Sequence, residues 1–127
     1  MNNVPPGDAR DTTTPAAMVG TLTKILTGDV LKPPSRELLI RWMIDTTTGA
    51  KRIRAGLPQD WRAGDKTGTG LDDLGGKFND VAIVWPPNKA PLIITAYYNT
   101  TTPTETIRDE DQAVLAEVGR VAAAWAG

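Results

Sequence analysis

The sequence predicts an α/β protein of the α+β kind: two helices, a three-stranded antiparallel meander, then a C-terminal helix. Three observations carry that prediction. Apolar residues recur at helical spacing from Met18 to about Ile44, the period becomes extended between Trp61 and Asn99, and it turns helical again from Asp109. The links between the extended runs are short, which favours antiparallel neighbours. The 127 residues fit one domain, and a chain of that length buries about two-thirds of the surface it would expose unfolded.

Residues 1–11 lack periodicity and are dense in proline, glycine, asparagine and aspartate, so they read as irregular loop. Thr14-Pro15 then opens a helix, with Thr14 as N-cap and Pro15 where its missing N–H costs nothing. Met18, Leu22, Ile25 and Leu26 form its apolar stripe, and Gly28 stops it. A second helix starts at Pro33-Pro34, with Ser35 as an ordinary cap. In it Leu38, Leu39, Trp42 and Met43 cover adjacent rows, which predicts burial on more than one side. Lys51 to Arg54 suit one further turn. Strands are expected at about 62–69, Val81 to Trp85 and Leu92 to Asn99. The last helix, Asp109 to Trp125, carries Asp109, Glu110 and Asp111 at its positive end and a stripe of Val114, Leu115, Val118, Ala122 and Trp125.

Strand 91–99 is unbalanced. It has no charge and is apolar on both faces, yet in a three-strand meander it must lie at an edge, which soluble proteins normally protect. It reads as a central strand whose other neighbour is missing, so the chain is expected to be part of a larger domain. The alternative is a twisted or bulged edge covered by a loop.

Composition excludes several chemistries. A net charge of −1 with interspersed signs argues against nucleic acid and polybasic membrane contact, and the chain opens with no signal peptide and contains no bilayer-length apolar run. With no cysteine and no histidine, disulfides, thiol catalysis, the usual zinc sites and Ser-His-Asp triads are excluded, and no cofactor is implied. Asp65-Lys66-Thr67-Gly68-Thr69-Gly70 stands out instead. It joins a cation and hydroxyls to glycines that let a ligand approach the backbone, and is read as a strand ending in a turn that receives an anion.

Further segments give that motif company: Asn2 with Pro6-Gly7-Asp8-Ala9-Arg10-Asp11-Thr12-Thr13-Thr14-Pro15, Trp42 with Thr47-Thr48-Gly49, Arg52 to Pro58, Gly64 to Gly70, and Asn79 to Pro86. In that order and spacing they resemble the C-terminal portion of a class A serine β-lactamase along essentially the whole chain. The resemblance implies a three-layer fold shared with penicillin-binding proteins. Residues 1–60 would be part of an Ω-type loop and the second half of a helical domain; residues 61–127 would be the C-terminal strands and helix of the α/β domain. Such enzymes open the β-lactam amide through a serine acyl-enzyme and are periplasmic or secreted.

The resemblance assigns roles residue by residue. Lys66-Thr67-Gly68 matches the K-T-G element: Lys66 would attract the substrate carboxylate, Thr67 would donate to it, and the Thr69 N–H would supply half of an oxyanion hole. Asn2 matches the asparagine that holds the deacylating water. Many members carry an arginine on the following strand, where this sequence reads Gly76-Lys77-Phe78-Asn79. Arg52 matches the alternative arginine of other members, including some that hydrolyse carbapenems. The departures are equally specific. There is no S-x-x-K, no S-D-N and no loop glutamate, so nucleophile, activating lysine and deacylation base are all missing, and the isolated chain is expected to be inactive. An N-terminal β-lactamase fragment, or a second copy pairing with strand 91–99, is the expected partner. A self-associating non-catalytic fragment and a piece of a penicillin-binding transpeptidase or carboxypeptidase are the alternatives.

Overall fold

The computed structural model describes residues 7–10 and 12–127. The element order is α1 (Pro15–Leu26), α2 (Pro33–Asp45), a 3-10 turn (Ile53–Gly56), β1 (Arg62–Asp72), β2 (Gly75–Trp85), β3 (Leu92–Asn99) and α3 (Asp109–Ala126). The predicted order of helices and strands is therefore present. The strands form one antiparallel sheet in the order β1-β2-β3.

The start of α1 follows from its cap: Thr14 Oγ1 accepts from the Ala17 N–H at 3.1 Å, and Pro15 occupies the first turn. The start of α2 corrects the sequence reading. Its N-cap is Lys32, Pro33 and Pro34 fill the first two positions, and Ser35 lies inside the first turn rather than capping it. Two prolines remove two of the donors a cap would have served and fix φ for the helix, so no side-chain cap is needed.

The sheet packs on both faces, and β2 shows why. Its residues Phe78, Ala82 and Val84 point to one side, where they meet Ile53 of the 3-10 turn, Ala96 of β3 and Leu115 of α3. Ile83 points to the other, against Leu26 of α1 and Met43 of α2. Helices on either side of a sheet give three layers. The stripes on α2 and α3 are narrower than expected: Leu38, Trp42, Val114 and Trp125 are exposed, Trp125 by 81%. Predicted burial on more than one side of α2 is thus not met among the described residues. Leu115 and Val118 of the α3 stripe do face the core, and the buried face of that helix also takes in Asp111, Gln112 and Gly119.

A close crossing ties α3 to the 3-10 turn. A Cβ on Gly119 would fall 2.1 Å from the Ile53 carbonyl oxygen, and one on Gly56 1.8 Å from that of Ala116. Gly119→Ala is expected to lower stability by about 1–3 kcal/mol through overpacking, read as a lower urea midpoint at unchanged slope.

The first hairpin also differs from expectation. β1 does not turn after the lysine motif but runs on to Asp72, and β2 starts at Gly75 rather than Val81. The turn lies at Asp73-Leu74, where Asp72 Oδ1 accepts from the Leu74 N–H at 2.9 Å and Gly75 adopts φ +126°. The glycines of β1 and the polar first half of β2 hide this long pairing from a hydrophobic pattern. At the other edge β3 has, among the described residues, only β2 as a neighbour. Beside it Val19 of α1, Leu92 and Ile94 of β3, and Ala122 and Trp125 of α3 line an apolar groove. No helix among the described residues is long and apolar enough to cross a membrane.

Candidate functional site

Lys66, Thr67, Gly68 and Thr69 lie together in the middle of β1, the sheet's other edge strand. Lys66, Gly68 and Thr69 are exposed and Thr67 is half-buried. The Lys66 ammonium donates to the Thr67 carbonyl at 2.6 Å, and among the described residues no carboxylate is within ion-pairing distance of it. The glycines of this hairpin differ in kind. A Cβ on Gly64, Gly75 or Gly76 would press on neighbouring atoms at 3.0 Å or less, whereas one on Gly68 would meet nothing nearer than 3.6 Å. Packing among the described residues does not require glycine at 68, so the bare backbone there is open to a further group.

Arg52 lies behind this edge. It is 2% exposed and so is not a solvated cation. One guanidinium nitrogen donates to the Asn79 and Gly68 carbonyls at 2.8 and 3.2 Å, the other to Thr69 Oγ1 at 2.6 Å, and the plane sits 5.8 Å from the centre of the Phe78 ring. Burial pushes its pKa down, opposed by the charges of Asp80 and Asp65. The structure therefore brings Arg52 to Thr69 rather than to open solvent. Asn2, the remaining candidate, lies outside the described residues.

Residues to which the sequence analysis gave no role of their own form a buried layer beneath the site. Asp65 and Asp80 are both fully buried. Arg54 pairs with Asp65 Oδ1 and also donates to the Met43 and Ile44 carbonyls at 3.1 and 3.3 Å, fastening the end of α2 to β1. Asp80 Oδ2 accepts from the Ile53 N–H at 3.1 Å and so fixes the first residue of the 3-10 turn, next to Arg52. Among the described residues Asp65 Oδ2, Asp80 Oδ1 and the Nε atoms of both arginines have no partner. Burial raises the pKa of Asp65 despite Arg54, and burial plus the charge of Asp65 pushes Asp80 up to about 7. A signal for Asp80 was available: it shares the period-2 face of Phe78, Ala82 and Val84, all inward. A charge on that face needs a reason.

The arrangement suits the reception of an anion at an open strand edge, with the hydroxyls of Thr67 and Thr69 as donors, the Lys66 charge beside them, and buried arginines holding the wall. Among the described residues no group of acidic side chains could hold a metal ion.

Comparison with known proteins places the chain in a family. The model of the "Beta-lactamase enzyme family" matches residues 1–126. The β-lactamase AST-1 of Nocardia asteroides is 47% identical over 95% of this chain, which covers 37% of that protein, and an imipenem-hydrolysing β-lactamase of Enterobacter cloacae is 44% identical over 96%, covering 40%. A solved β-lactamase from Xanthomonas campestris pv. campestris superposes with a TM-score of 0.87 at 46% identity, over 99% of this chain and 45% of its own. An ancestral class A β-lactamase gives 0.82 at 52% identity, over 94% of this chain and 44% of its own. The chain thus spans less than half the length of these relatives. With the family model matching residues 1–126 and the class A structures superposing on nearly the whole chain, the chain belongs to the β-lactamase enzyme family and reproduces a part of the class A fold.

Proposed function

We propose that this chain forms the carboxylate-receiving and oxyanion-side wall of a serine β-lactamase site, and that a second polypeptide segment supplies the nucleophile, its lysine and the deacylation base. The observation that carries this reading is the bare, exposed backbone at Gly68 between Thr67 and Thr69, with Lys66 beside it and no packing reason for the glycine among the described residues. Lys66 draws in the ring carboxylate, Thr67 donates to it, and the Thr69 N–H contributes to the oxyanion hole. Arg52 acts through Thr69, whose hydroxyl it holds. The sequence has no S-x-x-K or S-D-N, so the chain alone is inactive. Asn2 holds the deacylating water, residues 1–60 complete a helical domain with its Ω-type loop, and residues 61–127 belong to the α/β domain. The assembled protein is periplasmic or secreted.

The partner occupies the free edge of β3, whose apolar groove supports an incoming strand. The test combines this chain with the part of the Xanthomonas relative that it does not cover and follows a chromogenic cephalosporin. Hydrolysis by the mixture alone is expected. An associated but inactive mixture would refute the reading, and a long-lived penicillin adduct would point to a penicillin-binding peptidase. The second reading, a non-catalytic fragment that pairs β3 with its own copy, rests on the same free edge and predicts a homodimer that the added fragment does not dissolve. In the active mixture, Lys66→Ala is expected to lower kcat/KM by about 10- to 150-fold, equivalent to about 1.5–3 kcal/mol for a lost charge-assisted contact.

A further inference from the structure

We infer that Thr48, in the loop between α2 and the 3-10 turn, is a positioning residue of the carboxylate wall that sets the direction of the Thr67 hydroxyl proton. This rests on the reading of β1 as a carboxylate receiver. Thr48 Oγ1 lies 2.9 Å from Thr67 Oγ1, and Thr46 Oγ1 lies 3.3 Å from Thr48 Oγ1. The three hydroxyls make a row that leads from the end of α2 to the middle of β1.

Proton bookkeeping gives the row a direction. A threonine hydroxyl has one proton to donate and lone pairs to accept with. When Thr67 gives its proton to a bound carboxylate, its contact with Thr48 survives only with Thr48 as donor. Thr48 in turn then accepts from Thr46. Each link polarises the next, so the row strengthens the donor at its end. Without a ligand, Thr67 is free to point its proton at Thr48 instead, because either atom of that pair can donate.

The loop that carries Thr48 is held in place independently of this contact. Gly49 lies against β1 so closely that a Cβ there would fall 1.6 Å from Asp65 Oδ2. On the α2 side Arg54 binds the Met43 and Ile44 carbonyls together with Asp65. A hydroxyl fixed on both flanks loses little entropy when it orients its neighbour, which is the requirement for a preorganised donor. Thr48 itself is exposed, so no packing role among the described residues accounts for its side chain.

The experiment is an NMR titration of this chain, labelled at the threonine methyls, with a cephalosporin carrying its ring carboxylate and with the methyl ester of the same compound. Three chains are compared: wild type, Thr48→Val and Thr48→Ser. The valine variant is expected to bind the carboxylate about 3- to 10-fold more weakly, the size of one neutral hydrogen bond. The serine variant is expected to bind within about twofold of wild type, and the ester to bind weakly and equally to all three. Equal affinity of wild type and the valine variant for the carboxylate, an equal loss for acid and ester, or no saturable shift at Thr67 would each overturn the assignment. Hydrolysis by the mixture with the complementary fragment reports separately on the proposed function. A Thr48-dependent titration with an inactive mixture would leave the hydroxyl row standing and remove the β-lactamase reading.

Discussion

Replacing Arg54 with methionine is expected to destabilise the fold by about 3–5 kcal/mol near neutral pH, the usual penalty for leaving one member of a buried ion pair alone. Asp65 is fully buried and Arg54 is its only ion-pairing partner among the described residues. The same side chain also occupies the Met43 and Ile44 carbonyls, so its loss uncouples the end of α2 from β1. The penalty has a pH signature. Burial already raises the Asp65 pKa with Arg54 present, and without the guanidinium burial acts with less opposition. The variant's folded state then holds a proton that its unfolded state has released. Its stability therefore recovers as pH falls from that raised pKa toward the unfolded value near 4. Urea melts at about pH 8 and about pH 5 should show the gap to wild type narrowing in acid. Arg54→Lys is expected to fall between, since lysine keeps the charge but not the planar fork that serves three acceptors. A loss below about 1 kcal/mol would mean that neither the pair nor the carbonyl contacts of Arg54 carry much, and a larger loss that does not change with pH would leave the carbonyl contacts rather than the pair holding α2.

What this pair does was not visible in the sequence, although the residues were. Helix and strand order, the cap at Thr14 and the antiparallel meander are local properties, readable from spacing and turn chemistry. The edge position of Lys66-Thr67-Gly68 was readable only in part, because a strand through Gly68 and Gly70 runs against propensity and is held by pairing with β2. Residues that matter through long-range contact were harder. Arg52 and Arg54 are two places apart in a basic stretch, yet one turns under β1 toward Thr69 and the other toward Asp65. No local rule separates them. Conversely, Trp42 and Trp125 obey the helical period and still face outward, since the period locates an apolar stripe without showing what covers it.

Asp80 should make wild-type stability fall as pH rises from about 4 to about 7 and then level off, and Asp80→Asn should remove most of that slope. The carboxyl is fully buried, and burial with the nearby charge of Asp65 lifts it from 3.8 to about 7. Because the folded pKa lies above the unfolded one, the folded state keeps its proton over that window while the unfolded state has lost it. The stabilisation is complete below about 4 and gone above about 7, and the shift corresponds to on the order of 4 kcal/mol. Asparagine keeps an acceptor for the Ile53 N–H and needs no proton to be neutral, so the variant should be the more stable protein at about pH 8. Its gain should be smaller than the full shift, because Arg52 loses a compensating charge. Asp72, Asp109 and Glu117 oppose this trend in a separate window, since their partners hold their pKa values below the ordinary range and their contribution is lost only in stronger acid. Asp80→Ala supplies the contrast: it removes the acceptor at the start of the 3-10 turn and should be less stable than the asparagine variant at every pH. Should Asp80→Asn keep the wild-type slope between about pH 4 and 7, the proton resides on Asp65 instead, and the pairing of Asp65 with Arg54 is weaker than its geometry suggests.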